Sequence, residues 1–177
     1  MSHIDGTMEY GLKRGVKYSK GGEFIEATFV ELKEFGPKNR KHYLKLKKMI
    51  DRAFFSAIPE IEKLNNMKSL RESAARVEDD DGDDIYAVLK MGVSMSSEVD
   101  LDDFVELFKG LVCNPEAPLC KLDGEVNIKP EVFSDMHPDD QLEVAYKYCA
   151  FFGVGLDSMR DAGSNYATTR QPQAKAL

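Results

Sequence analysis

The stretch from Glu78 to Asp84 is rich in carboxylates, and its residue types are those that could bind a metal ion. Calcium loops of the EF-hand kind need a glycine at the sixth position and a bidentate acid at the twelfth. If Asp79 opened such a loop, those two positions would hold Asp84 and Lys90, so the spacing fails. The sequence therefore favours a solvated acidic linker over an ion site, with weak divalent binding as the most it allows.

Three cysteines and one histidine could on paper form a second metal site: Cys113, Cys120, His137 and Cys149. Structural zinc sites usually bring their ligands in close pairs such as Cys-x-x-Cys, and these four residues contain no such pair. Buried free cysteine behaves as a small hydrophobic residue, which is the favoured interpretation of Cys149 on its apolar helix face. We expect reduced thiols, with no metal and no cofactor.

Catalytic signatures are missing from the sequence. No glycine-rich phosphate loop, serine nucleophile elbow or helical metalloprotease motif is present, since Gly21-Gly22 and Gly153-Val154-Gly155 lack the required spacing and strand-to-helix context. We therefore expect a protein that is not an enzyme. A metal-dependent enzyme built on the acidic run is an alternative, which calorimetry with Mg²⁺, Mn²⁺ or Ca²⁺ would test.

A strongly amphipathic helix is predicted from Phe35 to Ile58, where Pro37 suits the first helical turn. At about 100° per residue, the apolar residues fall on one face and the cations on the opposite face. The apolar face comprises Tyr43, Leu46, Ile50, Ala53, Phe54, Ala57 and Ile58. The basic face comprises Lys38 and our candidate partner-binding residues Lys41, Lys45, Lys48 and Arg52. The simpler interpretation of these cations is a solvated outer face. The more specific interpretation is a surface that binds a polyanion or an acidic partner.

The remaining elements are predicted from shorter patterns. Residues 8–18 and 23–32 alternate as two strands of a hairpin turning at Gly21-Gly22, whose apolar face we expect to lie on the Tyr43 face of the first helix. Pro59 is predicted to interrupt that helix, with a second helix over 61–74.

After the acidic run, a short helix should end near Gly92, and another should begin at the N-cap Asp100. The inner face of this second helix is predicted to comprise Phe104, Leu107, Phe108 and Leu111. Asp123-Gly124 indicates a short hairpin, and Pro138 should open the last helix.

The last helix is apolar on both sides. One face comprises Leu142, Ala145, Tyr146, Cys149 and Phe152, and the other comprises Val144, Tyr148 and Phe151. A helix of this kind must be covered on both sides, either as a buried central helix or by a partner. Our candidate partner-binding residues here are Val144, Tyr148, Phe151 and Phe152.

Length and composition bound the fold. The 177 residues carry a formal charge of −7, which argues against nucleic acid as the main partner. No window is long and apolar enough to span a bilayer and the start lacks a signal peptide, so we expect a cytoplasmic protein. The predicted fold class is α+β, mainly α. It comprises an N-terminal β-hairpin packed on helices over 1–77, an acidic linker or loop over 78–84, a C-terminal helical unit with a short hairpin over 85–155, and a disordered tail over 156–177.

Three segments carry a resemblance: the opening hairpin of residues 10–32 leading into basic helices, the run 101–108, and the closing helix 136–152 followed by a polar tail. In layout they resemble the tail assembly chaperones of long-tailed bacteriophages. The resemblance implies a non-enzymatic protein in the host cytoplasm that binds the tape measure protein, keeps it soluble and recruits tail tube subunits. It also implies homo-oligomers and, often, a longer form made by ribosomal frameshifting.

An alternative from a different class is a nucleic-acid-associated regulatory protein that uses the basic face from Lys38 to Arg52. Its binding would weaken steeply with salt, because each phosphate contact adds to the salt dependence.

Overall fold

A computed structural model describes residues 6–63, 82–94 and 96–155. The fold is α+β and mainly α, as predicted, with one antiparallel four-stranded sheet in the order β1-β2-β3-β4. The strands are β1 (Thr7–Lys20), β2 (Glu23–Lys33), β3 (Cys120–Leu122) and β4 (Val126–Asn127). The helices are α1 (Arg40–Lys63), α2 (Gly82–Ser94), α3 (Leu101–Val112), α4 (Pro130–Asp135) and α5 (Pro138–Phe151).

The N-terminal hairpin is confirmed. Gly21 and Gly22 both have positive φ, of 61° and 86°, which is the backbone that a tight two-residue turn requires. The pairing of β1 with β2 shifts register midway, because Gly11 lies opposite Phe29 while the next paired residue of β1, Val16, lies opposite Ala27. The extra residues of β1 form a bulge that bends the hairpin.

Two carboxylates from the second half of the chain hold this bulge in place. Asp140 accepts hydrogen bonds from the backbone N–H groups of Lys13 (3.0 Å) and Arg14 (3.1 Å). Asp123 accepts from the N–H of Thr28 at 3.0 Å. Both strands of the irregular hairpin are therefore fixed by side chains that lie far away in sequence.

The apolar side of the hairpin packs against the last helix, and the prediction that it lies on the Tyr43 face of α1 is wrong. Strand β1 packs against α5 and α4. Tyr43 instead stacks on Phe35, with ring centroids 4.2 Å apart. The reason is the long connection: β3 adds to the edge of β2, so the chain returns to the hairpin and brings α4 and α5 with it.

Helix α1 begins as predicted, after a 3₁₀ turn at Pro37–Asn39, but Pro59 does not interrupt it. The helix continues through Pro59 to Lys63. A proline inside a helix removes one backbone hydrogen bond, and the bonds on either side are sufficient to carry the helix past it. The predicted second helix over 61–74 overlaps the end of α1, and its positions beyond 63 lie outside the described residues.

The chain between α1 and α3 differs in detail from the sequence prediction. Positions 82–84 of the predicted acidic linker belong to helix α2, while positions 78–81 lie outside the described residues. The sheet joins β2 to β3, so it combines strands from both of the predicted units. The predicted tail over 156–177 also lies outside the described residues.

The local signals of the second half are confirmed. Asp100 caps α3 by accepting from the N–H of Asp102 at 2.7 Å. Asp123 and Gly124 have φ of 50° and 72° in the turn between β3 and β4. Helix α5 begins at Pro138. Helix α4 was not predicted, because six residues are too few to establish a helical period.

Candidate interaction surface

The inner face of α1 is anchored in the core. Its fully buried apolar residues are Leu46, Ile50, Ala53 and Phe54. Helix α1 packs against α2 and α3. The approach to α2 is close, since a Cβ atom placed on Gly92 would lie 2.7 Å from the ring of Phe54. The outer face of α1 is therefore carried on a helix that is anchored in the core between Leu46 and Phe54.

The predicted basic residues lie together on that outer face. Lys41, Lys45, Lys48 and Arg52 are all exposed, at a spacing that places them on one side of the helix. Within the described residues none of the four forms an ion pair. The structure thus brings these four sequence candidates into one line of positive charge that has no ion-pair partner among the described residues.

Two large apolar residues lie in the same line. The side chain of Leu44 is 45% exposed and that of Phe55 is 63% exposed. Each lies three positions after one of the cations, Lys41 and Arg52 respectively, so it shares their side of the helix. We name this line the α1 ridge, and it comprises Lys41, Leu44, Lys45, Lys48, Arg52 and Phe55.

The positive charge of the ridge affects the pKa of a neighbouring histidine. His42 has its pKa lowered by burial and by the positive charges of Lys45 and Lys41, so its neutral form is favoured. Its Nδ1 lies 3.3 Å from the backbone carbonyl oxygen of Gly110 in α3. Lys47, on another side of α1, pairs with Asp51 at 3.0 Å. Asp51 therefore compensates a lysine that lies outside the ridge.

The apolar residues of the ridge were missed in the sequence analysis. Leu44 and Phe55 belong to neither of the two predicted faces of the helix. The signal was present, since a helical wheel places both among the lysines. A second exposed aromatic residue, Phe24, is 83% exposed at the start of β2, beside the hairpin turn.

The candidate residues of the last helix are placed differently. Val144 and Tyr148 are buried, and the Tyr148 hydroxyl donates a 2.8 Å hydrogen bond to the carbonyl oxygen of Lys33. Phe151 and Phe152 are half-buried and meet edge-on, with ring centroids 4.8 Å apart. In this conformation α5 is a central helix covered on both sides, so partner binding through Val144 or Tyr148 would require displacement of its neighbours.

The cysteines lie inside the protein. All three are buried free thiols. Burial raises the pKa of Cys113 to about 12 and raises the pKa of Cys149 further, so both thiols are protonated at neutral pH. Within residues 6–63, 82–94 and 96–155, no group of three or more His, Cys, Asp or Glu side chains is arranged to hold a metal ion.

Of the helices in the described part of the chain, none has the length and apolar character needed to cross a membrane. Comparison of the chain with protein-family models, curated proteins and solved structures finds no match.

Proposed function

We propose that this protein is a phage tail assembly chaperone, which binds the tape measure protein in the host cytoplasm, keeps it soluble and recruits tail tube subunits. The layout of the sequence supports this proposal through its resemblance to that family. The observation that carries it is the α1 ridge, where the large apolar side chains of Leu44 and Phe55 are open to solvent.

A chaperone that holds another chain needs apolar surface of its own to cover the partner's. On the ridge this surface is interrupted by lysines, which keep the free protein soluble and make binding sensitive to ionic strength. The function requires binding and release only, so it uses no catalytic group and no cofactor.

A second candidate function is nucleic-acid binding by a regulatory protein, and the row of cations on α1 without ion pairs among the described residues favours it. The overall charge of −7 opposes it, because a polyanion would be repelled by the rest of the surface. We therefore rank it second.

Co-expression tests the proposed function. The tape measure protein of the genome that encodes this chain, which the proposal requires to exist, would be produced alone, with the wild-type chain, and with a variant carrying Leu44→Glu and Phe55→Glu. The tape measure protein should be soluble with the wild type and insoluble in the other two cases. Phe24→Glu is the control, because it makes the same kind of substitution once, where the ridge variant makes it twice, at a residue that is more exposed.

An insoluble tape measure protein in the presence of the wild-type chain would overturn the proposal. Salt-sensitive binding of a DNA or RNA duplex by the wild type, lost with Lys45→Glu and Lys48→Glu, would replace it with the second candidate.

A further inference from the structure

We infer that the α1 ridge recognises an acidic amphipathic helix of the partner protein. The inference rests on the proposed function and adds to it the chemistry of the segment that is bound. It begins from the spacing of the two apolar residues. Leu44 and Phe55 lie eleven positions apart, which corresponds to about three helical turns and about 16 Å along the axis.

A second helix is the element that matches such a line. Helices pack with their axes close to parallel or at moderate angles, so a partner helix can contact residues over three turns of α1. Its apolar residues would recur at positions i, i+4, i+7 and i+11 to contact the whole line. A compact loop would cover one of the two apolar residues, and an extended peptide, which spans about 16 Å in about five residues, would place its backbone N–H and C=O groups against a helix side that offers them no hydrogen-bond partners.

The cations specify the charge of that helix. Lys45, Lys48 and Arg52 lie between the two apolar residues along the helix, and Lys41 lies three positions before Leu44. Docking an uncharged or basic helix here would desolvate four positive charges that have no ion-pair partners among the described residues. Glutamates and aspartates along both sides of the partner's apolar stripe would instead compensate them.

The mixture of residue types favours a protein over a nucleic acid. A nucleic-acid backbone binds positively charged side chains. The exposed apolar side chains of Leu44 and Phe55 would add little binding free energy against phosphate and sugar. An acidic amphipathic helix uses both kinds of residue in the ridge.

The test uses two synthetic helical peptides of about 18 residues, roughly 27 Å long. Both carry leucines at i, i+4, i+7 and i+11, and one has glutamates along the flanks where the other has lysines. Binding to the full chain is followed by fluorescence anisotropy. The acidic peptide should bind and the basic peptide should not. Raising the salt concentration from about 0.05 M to about 0.5 M should weaken the binding at least about fivefold.

Variants locate the binding on the ridge. Leu44→Ala with Phe55→Ala should weaken binding of the acidic peptide about tenfold or more, and Lys45→Gln with Lys48→Gln should weaken it several-fold. Phe24→Ala is the control and should leave binding unchanged. These side chains are exposed, so the variants should fold, and circular dichroism would check this.

Several outcomes would overturn the inference. Two of them are equal binding of the two peptides and loss of acidic-peptide binding in the Phe24→Ala variant. A third is displacement of the acidic peptide by a DNA duplex supplied at the same total negative charge. The fourth is a dimer of the chain that forms through the ridge and excludes the peptide.

The test also separates the two proposals. A tape measure protein kept soluble by a chain that does not bind the acidic peptide would overturn this inference and leave the proposed function standing. Binding of the acidic peptide by a chain that has no effect on the solubility of the tape measure protein would overturn the proposed function and leave this inference standing.

Discussion

The hydroxyl of Tyr10 donates a 3.1 Å hydrogen bond to the carboxylate of Asp140, which lies 130 positions later in the chain. The same carboxylate accepts from two N–H groups in the bulge of β1. Asp140 is fully buried at the first turn of α5. A single side chain therefore joins the first strand to the last helix and contributes to fixing the position of the bent hairpin.

Removal of this carboxylate should be costly. Asp140→Ala leaves the Tyr10 hydroxyl and the N–H groups of Lys13 and Arg14 without their acceptor, and we expect the free energy of unfolding to fall by about 2–4 kcal/mol. Tyr10→Phe removes one of the three bonds and should cost about 1 kcal/mol. Urea denaturation followed by circular dichroism measures both values.

The neighbouring residue provides the control. Asp139 also lies in the first turn of α5 but is exposed, so Asp139→Ala should change the stability by about 0.5 kcal/mol at most. Equal losses of unfolding free energy for Asp139→Ala and Asp140→Ala would show that the stabilisation comes from a charge near the start of the helix and not from the buried hydrogen-bond network.

The role of Asp140 marks the limit of what the sequence could predict. Local patterns were enough for the hairpin at Gly21-Gly22, for the cap at Asp100 and for the start of α5. Two aspartates after Pro138 have an ordinary explanation in the helix dipole, so nothing local distinguishes Asp140 from Asp139. Its partners are more than 100 positions away, and no periodic pattern of the sequence links them.

The candidate surface was predicted in part. The four cations of α1 follow from the helical wheel, whereas the burial of Val144 and Tyr148 depends on how α5 packs, which periodicity does not determine. Leu44 and Phe55 could not be assigned to the surface from the helical wheel alone. Apolar residues on a basic face look like exceptions to the pattern until their solvent exposure is known.

Two glycines of neighbouring helices should respond in opposite directions to alanine. A Cβ at Gly92 would meet the Phe54 ring at 2.7 Å, so Gly92→Ala should force α2 away from α1 and cost about 1–3 kcal/mol. Gly110 in α3 has open space around its Cβ position, and Gly110→Ala should stabilise the protein by about 0.5–1 kcal/mol.

Thermal unfolding of the two variants checks this prediction. A Gly92→Ala variant as stable as the wild type would mean that α1 and α2 are less closely packed than described, and that the ridge is held less firmly.

A pH effect is expected where α2 meets α5. Lys90 Nζ lies 2.7 Å from one oxygen of Glu143, and the Tyr86 hydroxyl donates to the other. Burial alone would raise the pKa of Glu143, but the hydrogen bonds from Lys90 and Tyr86 outweigh burial and hold this pKa below its usual value. The stability that Glu143 contributes is therefore present above the unfolded-state pKa of about 4.3 and is lost as the pH falls through the folded-state pKa.

Glu143→Gln should accordingly lower the free energy of unfolding at pH 7, and its difference from the wild type should shrink as the pH falls below about 4. Urea denaturation across this pH range makes the measurement. Glu106→Gln, at an exposed ion pair with Lys109, is the control and should have little effect. A difference for Glu143→Gln that stayed constant down to low pH would contradict the prediction.

We propose that the α1 ridge holds the tape measure protein, and site-specific photo-crosslinking can show whether the two are in contact there. The photoreactive amino acid p-benzoylphenylalanine would replace Phe55 in one chain and Phe24 in another, each co-expressed with the tape measure protein. We predict a covalent adduct with the tape measure protein from position 55 and none from position 24. No adduct from position 55, or equal adducts from both positions, would contradict the claim.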